Sequence, residues 1–116
     1  AKAEAAAAGD AKVWEMADLV STGEEVFAAN CAACHQADGK GLPPAFPALD
    51  GSAVVNGPVA AQIDTVMHGR EGTAMAAFGP MLSDAQLAAV ITYTRNAWGN
   101  QTGDAIQPAD IAAARN

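Results

Sequence analysis

Cys31 and Cys34 stand three residues apart in this chain, and His35 directly follows the second. There are no other cysteines, so all thiol chemistry is confined to one short segment. If that segment is helical, residues three apart share a face. Both sulfurs can then bond the two vinyl groups along one porphyrin edge. The next residue can turn its imidazole under the ring and ligate the iron as proximal ligand. This spacing reads as a c-type haem attachment site. Ala32 and Ala33 are small and leave the porphyrin edge unobstructed.

The rest of the composition agrees. The chain has 116 residues, of which 51% are apolar but only 5% aromatic, and alanine supplies much of the apolar share. That is one compact domain plus loose ends, with a thin side-chain core. A buried planar cofactor supplies the missing apolar volume. A thioredoxin-like cysteine pair would expect a strand before it in a βαβ setting. Here Gly23 to Asn30 is helix-forming and carries no β-rich run. A zinc site would need further ligands, and only His68 remains.

The net charge is −7, and haem propionates would add to it. Nucleic-acid binding is excluded, because the basic footprint is missing. An acidic surface can steer a positively charged partner, or simply keep the chain soluble; both readings stay open. No stretch reaches membrane-spanning length, and no basic region precedes an apolar one as in a secretory signal. The chain as given reads as soluble.

Helical periodicity organises the remainder. Residues 1–20 read as a low-complexity linker followed by a short docking helix with Val13, Trp14, Met16, Ala17, Leu19 and Val20. A helix is expected from Ser21, which has capping-box spacing with Glu24, to Asn30, with Val26, Phe27 and Ala29 inward. Pro43, Pro44, Pro47 and the glycines between Asp38 and Gly51 dictate a loop. The next helix starts at Pro58, carries Val59, Ile63, Val66 and Met67, and stops at Gly69. A second loop holds Gly72, Met75, Gly79 and Met81. The last helix opens on the Ser83–Gln86 capping box, buries Leu87, Val90, Ile91, Thr94 and Trp98, and closes at Gly99. The cofactor domain spans 21–100, and 101–116 reads as a polar, alanine-rich tail trailing over the surface. The fold class is all-α, with helices and long loops wrapped around one covalently bound haem.

An electron-transfer haem needs a sixth ligand, and methionine raises its potential relative to harder donors. Four methionines and His68 compete. Met16 reads as satellite packing, Met67 as core, and His68 as a helix-terminal residue favoured by the dipole. Met75 lies mid-loop between glycines. Met81 directly precedes Leu82 and the Ser83 cap, where a hydrophobic staple belongs. Loop position favours Met75 and keeps Met81 as its rival.

Gly23, Phe27, Tyr93 and the Pro47-Ala48-Leu49-Asp50-Gly51 segment make residues 21–99 resemble class I c-type cytochromes. The resemblance implies that the Pro47 carbonyl accepts from the ring of His35. Residues 45–51, 72–79 and 93–100 further resemble the carboxy-terminal haem domain fused to subunit II of bacterial haem-copper cytochrome c oxidases. There the methionine loop usually reads Met-Pro-Ala-Phe; here Ala76 replaces the proline. The resemblance makes Met75 the iron ligand. It also implies a membrane-anchored parent with a copper-binding domain, lying in the periplasm or on the outer face of the bacterial inner membrane.

The expected function is one-electron transfer by a His35/Met75-ligated haem c. Electrons would pass from a donor cytochrome or quinol-oxidising complex to the binuclear copper centre of a terminal oxidase. The domain alone performs no catalysis. Ala32, Ala33, Ala76, Ala77 and Phe78 would form an apolar docking patch, with ordinary haem packing as the alternative. Arg70 and Trp98 are candidate propionate contacts, against surface pairing for Arg70 and helix packing for Trp98. The alternatives are an independent diffusible periplasmic cytochrome, and an open-site haem enzyme or gas sensor.

Overall fold

The structure is a computed structural model that describes residues 12–42, 46–70, 73 and 75–115. Expectations about 1–11, Pro43, Pro44, Ala45, Gly72 and Ala74 lie outside the described residues. The described residues form α1 (Met16–Asn30), α2 (Ala32–His35), α3 (Val59–His68), α4 (Asp84–Asn96) and α5 (Pro108–Ala114). Among them there is no strand, only an isolated bridge between Leu42 and Phe46, so the all-α reading holds.

The centre of the fold is α4. Its capping box forms as the spacing predicts: the Ser83 hydroxyl accepts from the Gln86 N–H at 3.1 Å, and the Gln86 side chain accepts from the Ser83 N–H at 2.9 Å. Leu87, Ala88, Ala89, Val90, Ile91, Thr92 and Thr94 are all buried, as befits a helix covered on several sides. On one side lies α1. A Cβ on Gly23 would sit 2.1 Å from the Ala89 carbonyl oxygen, so only glycine lets the two backbones approach this closely.

Several sequence expectations are corrected here. The first long helix begins at Met16, and Ser21 and Glu24 are exposed within it. Burying Leu19 rewards the earlier start, because helical stability comes mainly from tertiary packing of one face. The entering chain is also pinned: the Gln107 side chain accepts from the Trp14 N–H at 2.7 Å and donates to the Trp14 carbonyl at 3.1 Å. Ala29 is exposed, since the inward stripe is Leu19, Gly23, Val26 and Phe27. Pro58 caps α3 rather than joining it, with Val59 as first helical residue.

The end of the chain differs most. Residues after Gln101 do not trail; they fold back as α5, with Ile106 at 2% and Ile111 at 0% exposure. Pro108 opens that helix. Arg95, itself buried, donates to Asp104 from Nε at 3.1 Å and from Nη2 at 2.7 Å, which holds the connecting segment. Arg115 pairs with Asp84 and donates to the carbonyls of Gly79 and Leu82. The apolar residues Ile106, Pro108 and Ile111 are too few to lift the local composition, yet they supply the buried face.

Trp98 is not on the α4 stripe. The helix ends at Asn96, and Trp98 follows with φ 55°. Its ring packs edgewise on Phe27 and Tyr93, with centroids 5.4 and 5.7 Å away. Met81 is 61% exposed, so the apolar residue before the Ser83 cap that packs inward is Leu82. Met16 is half-buried in the first turn of α1.

Candidate metal centre

The chain turns sharply out of α1. The Cys31 N–H donates to the Phe27 carbonyl, and those of Cys34 and His35 donate to the Cys31 carbonyl, at 3.2 and 3.0 Å. Cys31, Cys34 and His35 are therefore displayed on a single tight turn, all half-buried. Both thiols are free. Burial, and then the neighbouring Cys34, push the Cys31 thiol up to about 11. A thiol–disulfide oxidoreductase requires the opposite shift, toward thiolate.

Beyond His35 the backbone reverses through Gln36 (φ 65°) and Gly39 (φ 71°). The Gly41 N–H donates to the His35 carbonyl at 2.9 Å, and Leu42 and Phe46 exchange hydrogen bonds of 2.8 and 3.0 Å. A Cβ on Gly41 would lie 2.4 Å from the Phe46 oxygen and 2.6 Å from the Pro47 oxygen. Glycine there lets the returning strand of the loop close in. The result is a 2.9 Å contact between His35 Nδ1 and the Pro47 carbonyl oxygen. A carbonyl can only accept, so Nδ1 carries the proton and Nε2 keeps its lone pair for a metal.

A second loop leaves α3 at Gly69, whose φ is 71°. It is tied to itself and to the helix it leaves. The Arg70 N–H donates to the Met75 carbonyl at 3.3 Å, and the Met75 N–H to the Thr73 hydroxyl at 3.2 Å. The Phe78 and Gly79 N–H groups donate to the carbonyls of Val66 and Met67, each at 3.0 Å. Met75 is thus half-buried on a fixed backbone. Met67 is core. His68 is exposed at the end of α3, with Nε2 3.8 Å from Asp64.

Cys31, Ala32, Leu49, Val66, Phe78 and Trp98 all pack, partly buried, against one hydrophobic core. The cysteine turn, the Pro47 loop and the methionine loop therefore share a common support. Ala33, Ala76 and Ala77 are exposed, and Ala32 and Phe78 half-buried. The Trp98 indole N–H donates to the Ala37 carbonyl at 3.0 Å. Arg70 is exposed. Among the described residues no group of three or more His, Cys, Asp or Glu side chains is arranged to hold a metal ion. The donor set instead fits a haem: two thiols, an imidazole with its metal-facing nitrogen free, and a thioether on an anchored loop.

A separate groove of about 680 Å³ runs between α3 and the 104–114 segment, bordered by Ile63, Met67, Asp104 and Ile106 among others. None of Cys31, Cys34, His35 or Met75 lines it. Sequence reasoning passed over Asn100, which is buried and reaches the Pro47 loop; in the sequence it is one polar residue after a glycine.

Residues 18–93 match the family described as cytochrome c oxidase, cbb3-type, subunit III. The chain is 40% identical over 89 residues to subunit CcoP of the cbb3-type cytochrome c oxidase of Rhodobacter capsulatus, a match covering 70% of this chain and 30% of that protein. It is 38% identical over 81 residues to subunit FixP of the cbb3-type oxidase of Azorhizobium caulinodans, covering 68% and 27%. It is also 31% identical over 105 residues to the cytochrome c subunit of a quinone alcohol dehydrogenase of Gluconobacter oxydans, covering 82% and 22%. The chain spans less than a third of the length of these curated relatives.

Proposed function

This chain belongs to the cytochrome family of cbb3-type oxidase subunit III, and from that membership we propose that it is a single-haem electron relay within a membrane-bound respiratory complex. It is a class I c-type cytochrome, and it transfers electrons through haem c. In the finer reading Cys31 and Cys34 would attach the haem through thioethers, and His35 and Met75 would hold its iron. When bound, the haem supplies a one-electron ferrous/ferric couple.

The chain's own residues do the rest. The Pro47 carbonyl holds the Nδ1 proton of His35, which fixes the ring's orientation and makes Nε2 a stronger donor. The Met75 backbone is hydrogen-bonded at both N–H and C=O, which holds the base of its side chain in place. Leu49, Val66 and Phe78 keep water from the buried side. On hydrogen-bonded loops, His35 and Met75 would need to move little between the two oxidation states of such a group. Arg70, exposed beside the Met75 backbone, is assigned to a propionate.

The observation that carries this reading is the His35–Pro47 contact at 2.9 Å, directly after a half-buried cysteine pair. The relatives support a role inside an assembly, since they are named as subunits of cbb3-type oxidases and of a quinone alcohol dehydrogenase. We assign the donor as a quinol-oxidising complex or a cytochrome and the acceptor as a haem-copper oxidase, on the outer side of the inner membrane. The binuclear copper centre of a subunit II is the narrower acceptor implied by the motif resemblance; the cbb3-type relatives favour the broader assignment.

The deciding experiment is an absorption spectrum of protein matured in a host competent for cytochrome c, oxidised, reduced and then denatured in acid. One covalent haem per chain, with a methionine-to-iron band in the oxidised form, is the expected result. A colourless protein, or haem extracted by acid, would overturn it.

A further inference from the structure

Asn100 is 1% exposed and saturates its amide. Nδ2 donates to the carbonyls of Leu49 and Thr94, both at 2.9 Å. Oδ1 accepts from the Gly51 N–H and from Asn56 Nδ2, again both at 2.9 Å. A primary amide has two donors and two acceptor sites, and all four are in use. The orientation is therefore unique: flipping the amide would point donors at the Gly51 and Asn56 donors. One residue earlier, the Gly99 N–H donates to Asp50 Oδ1 at 3.1 Å. The Gly39 carbonyl also accepts from Leu49 and Asp50, at 2.7 and 3.0 Å.

The turn at 49–51 is thus held both by Gly39 and by the chain just past α4. Pro47 lies two residues upstream of that grip. Its carbonyl shares a rigid peptide plane with the N–H of Ala48, the residue directly before the held turn, so the direction of that carbonyl depends on how the turn is held. Through Thr94 the same amide also fixes the turn to the end of α4.

We propose that Asn100 is a positioning residue for the iron ligand His35: it locks the 49–51 turn and thereby aims the Pro47 carbonyl at Nδ1. This rests on the assignment of His35 as axial ligand. Loosening the carbonyl weakens the acceptor, makes the imidazole a poorer electron donor and disfavours ferric iron. The reduction potential then rises, and the ring proton exchanges faster with solvent.

The test uses the full chain matured with haem. Asn96 provides a matched control. Its Nδ2 donates to the carbonyls of Thr92 and Asp104 and its Oδ1 accepts from the Gly103 N–H, with no bond to the 47–51 loop. In Asn100→Ala the solvent exchange of the His35 Nδ1 proton, read by NMR of the ferrous protein, should quicken several-fold. At the wild-type midpoint the ferrous-to-ferric ratio should rise. Asn96→Ala should leave both readings at wild type while losing comparable stability in urea. Asn100→Ser, a milder truncation, should move both in the same direction by less, and it serves if the alanine variant fails to fold. Equal readings in the Asn100 and Asn96 variants would overturn the proposal while leaving the haem assignment intact. A wild-type spectrum without a haem-shifted His35 ring proton would overturn both together.

Discussion

The Nδ1 atom of His35 lies 2.9 Å from the carbonyl oxygen of Pro47, twelve residues further along the chain. This contact leaves Nε2 as the ring nitrogen with a free lone pair, and it exists because Gly41 lets the chain approach Phe46 and Pro47 without a side chain in the way.

Replacing Met75 with alanine should abolish the methionine-to-iron absorption band near the red edge and open the reduced protein to carbon monoxide. The same change at Met81, which is largely exposed, should leave the spectrum untouched. A band that survives in Met75→Ala would transfer the ligand role elsewhere.

Gly23→Ala should destabilise the fold through the α1–α4 contact. Its new methyl group would meet the Ala89 carbonyl and Tyr93 Cβ at 2.1 and 2.6 Å, and neither backbone can yield without shifting a helix. Overpacking of this kind costs about 1–3 kcal/mol, measurable as a lower urea midpoint with an unchanged slope.

Ile111→Ala should cost about 2–5 kcal/mol, the range for emptying a fully buried aliphatic site. Ile111 has no exposed surface, whereas a side chain on a trailing tail would be neutral to truncation. Urea unfolding of the two proteins side by side separates these outcomes.

The Asp104 carboxyl is held below its ordinary range, first by hydrogen bonds from Arg95 and then by Thr102. A group whose folded pKa is depressed contributes stability above its unfolded pKa and loses it as pH falls through the folded value. Wild type should therefore exceed Asp104→Asn in urea stability at neutral pH, and the gap should shrink below about pH 4. The carboxylate side chain is 42% exposed, so added salt should narrow the gap as well. A difference that stays constant down to acid pH would show that the pair does not act through charge.

How far the sequence could be read depends on the range of the interaction concerned. The cysteine–histidine turn and the Ser83–Gln86 cap are local, and a few residues carry all their chemistry. Ser21 and Glu24 have the same spacing as that cap yet form no helix start, because burying Leu19 draws the helix further back. Spacing permits a cap; packing chooses among the possibilities. The closing helix leaves little trace in the sequence because Ile106, Pro108 and Ile111 are sparse among polar neighbours, and their worth is visible only against α4. Asn100 lies beyond sequence reasoning for a related reason, since three of its four partners lie in residues 49–56. At the level of family, short strings around Pro47, Met75 and Trp98 suggested a subunit II domain. Longer matches over residues 18–93 place the chain with cbb3-type subunit III, because a cofactor imposes similar short strings on many cytochromes.

A helix end normally leaves its final carbonyls open. In α3 those of Val66 and Met67 are taken up by Phe78 and Gly79, so the Met75 loop and the last helical turn finish one another. Neither can unravel by itself. The backbone that carries Met75 therefore shifts only together with that turn, and any partner able to fray the turn would hold a lever on the loop.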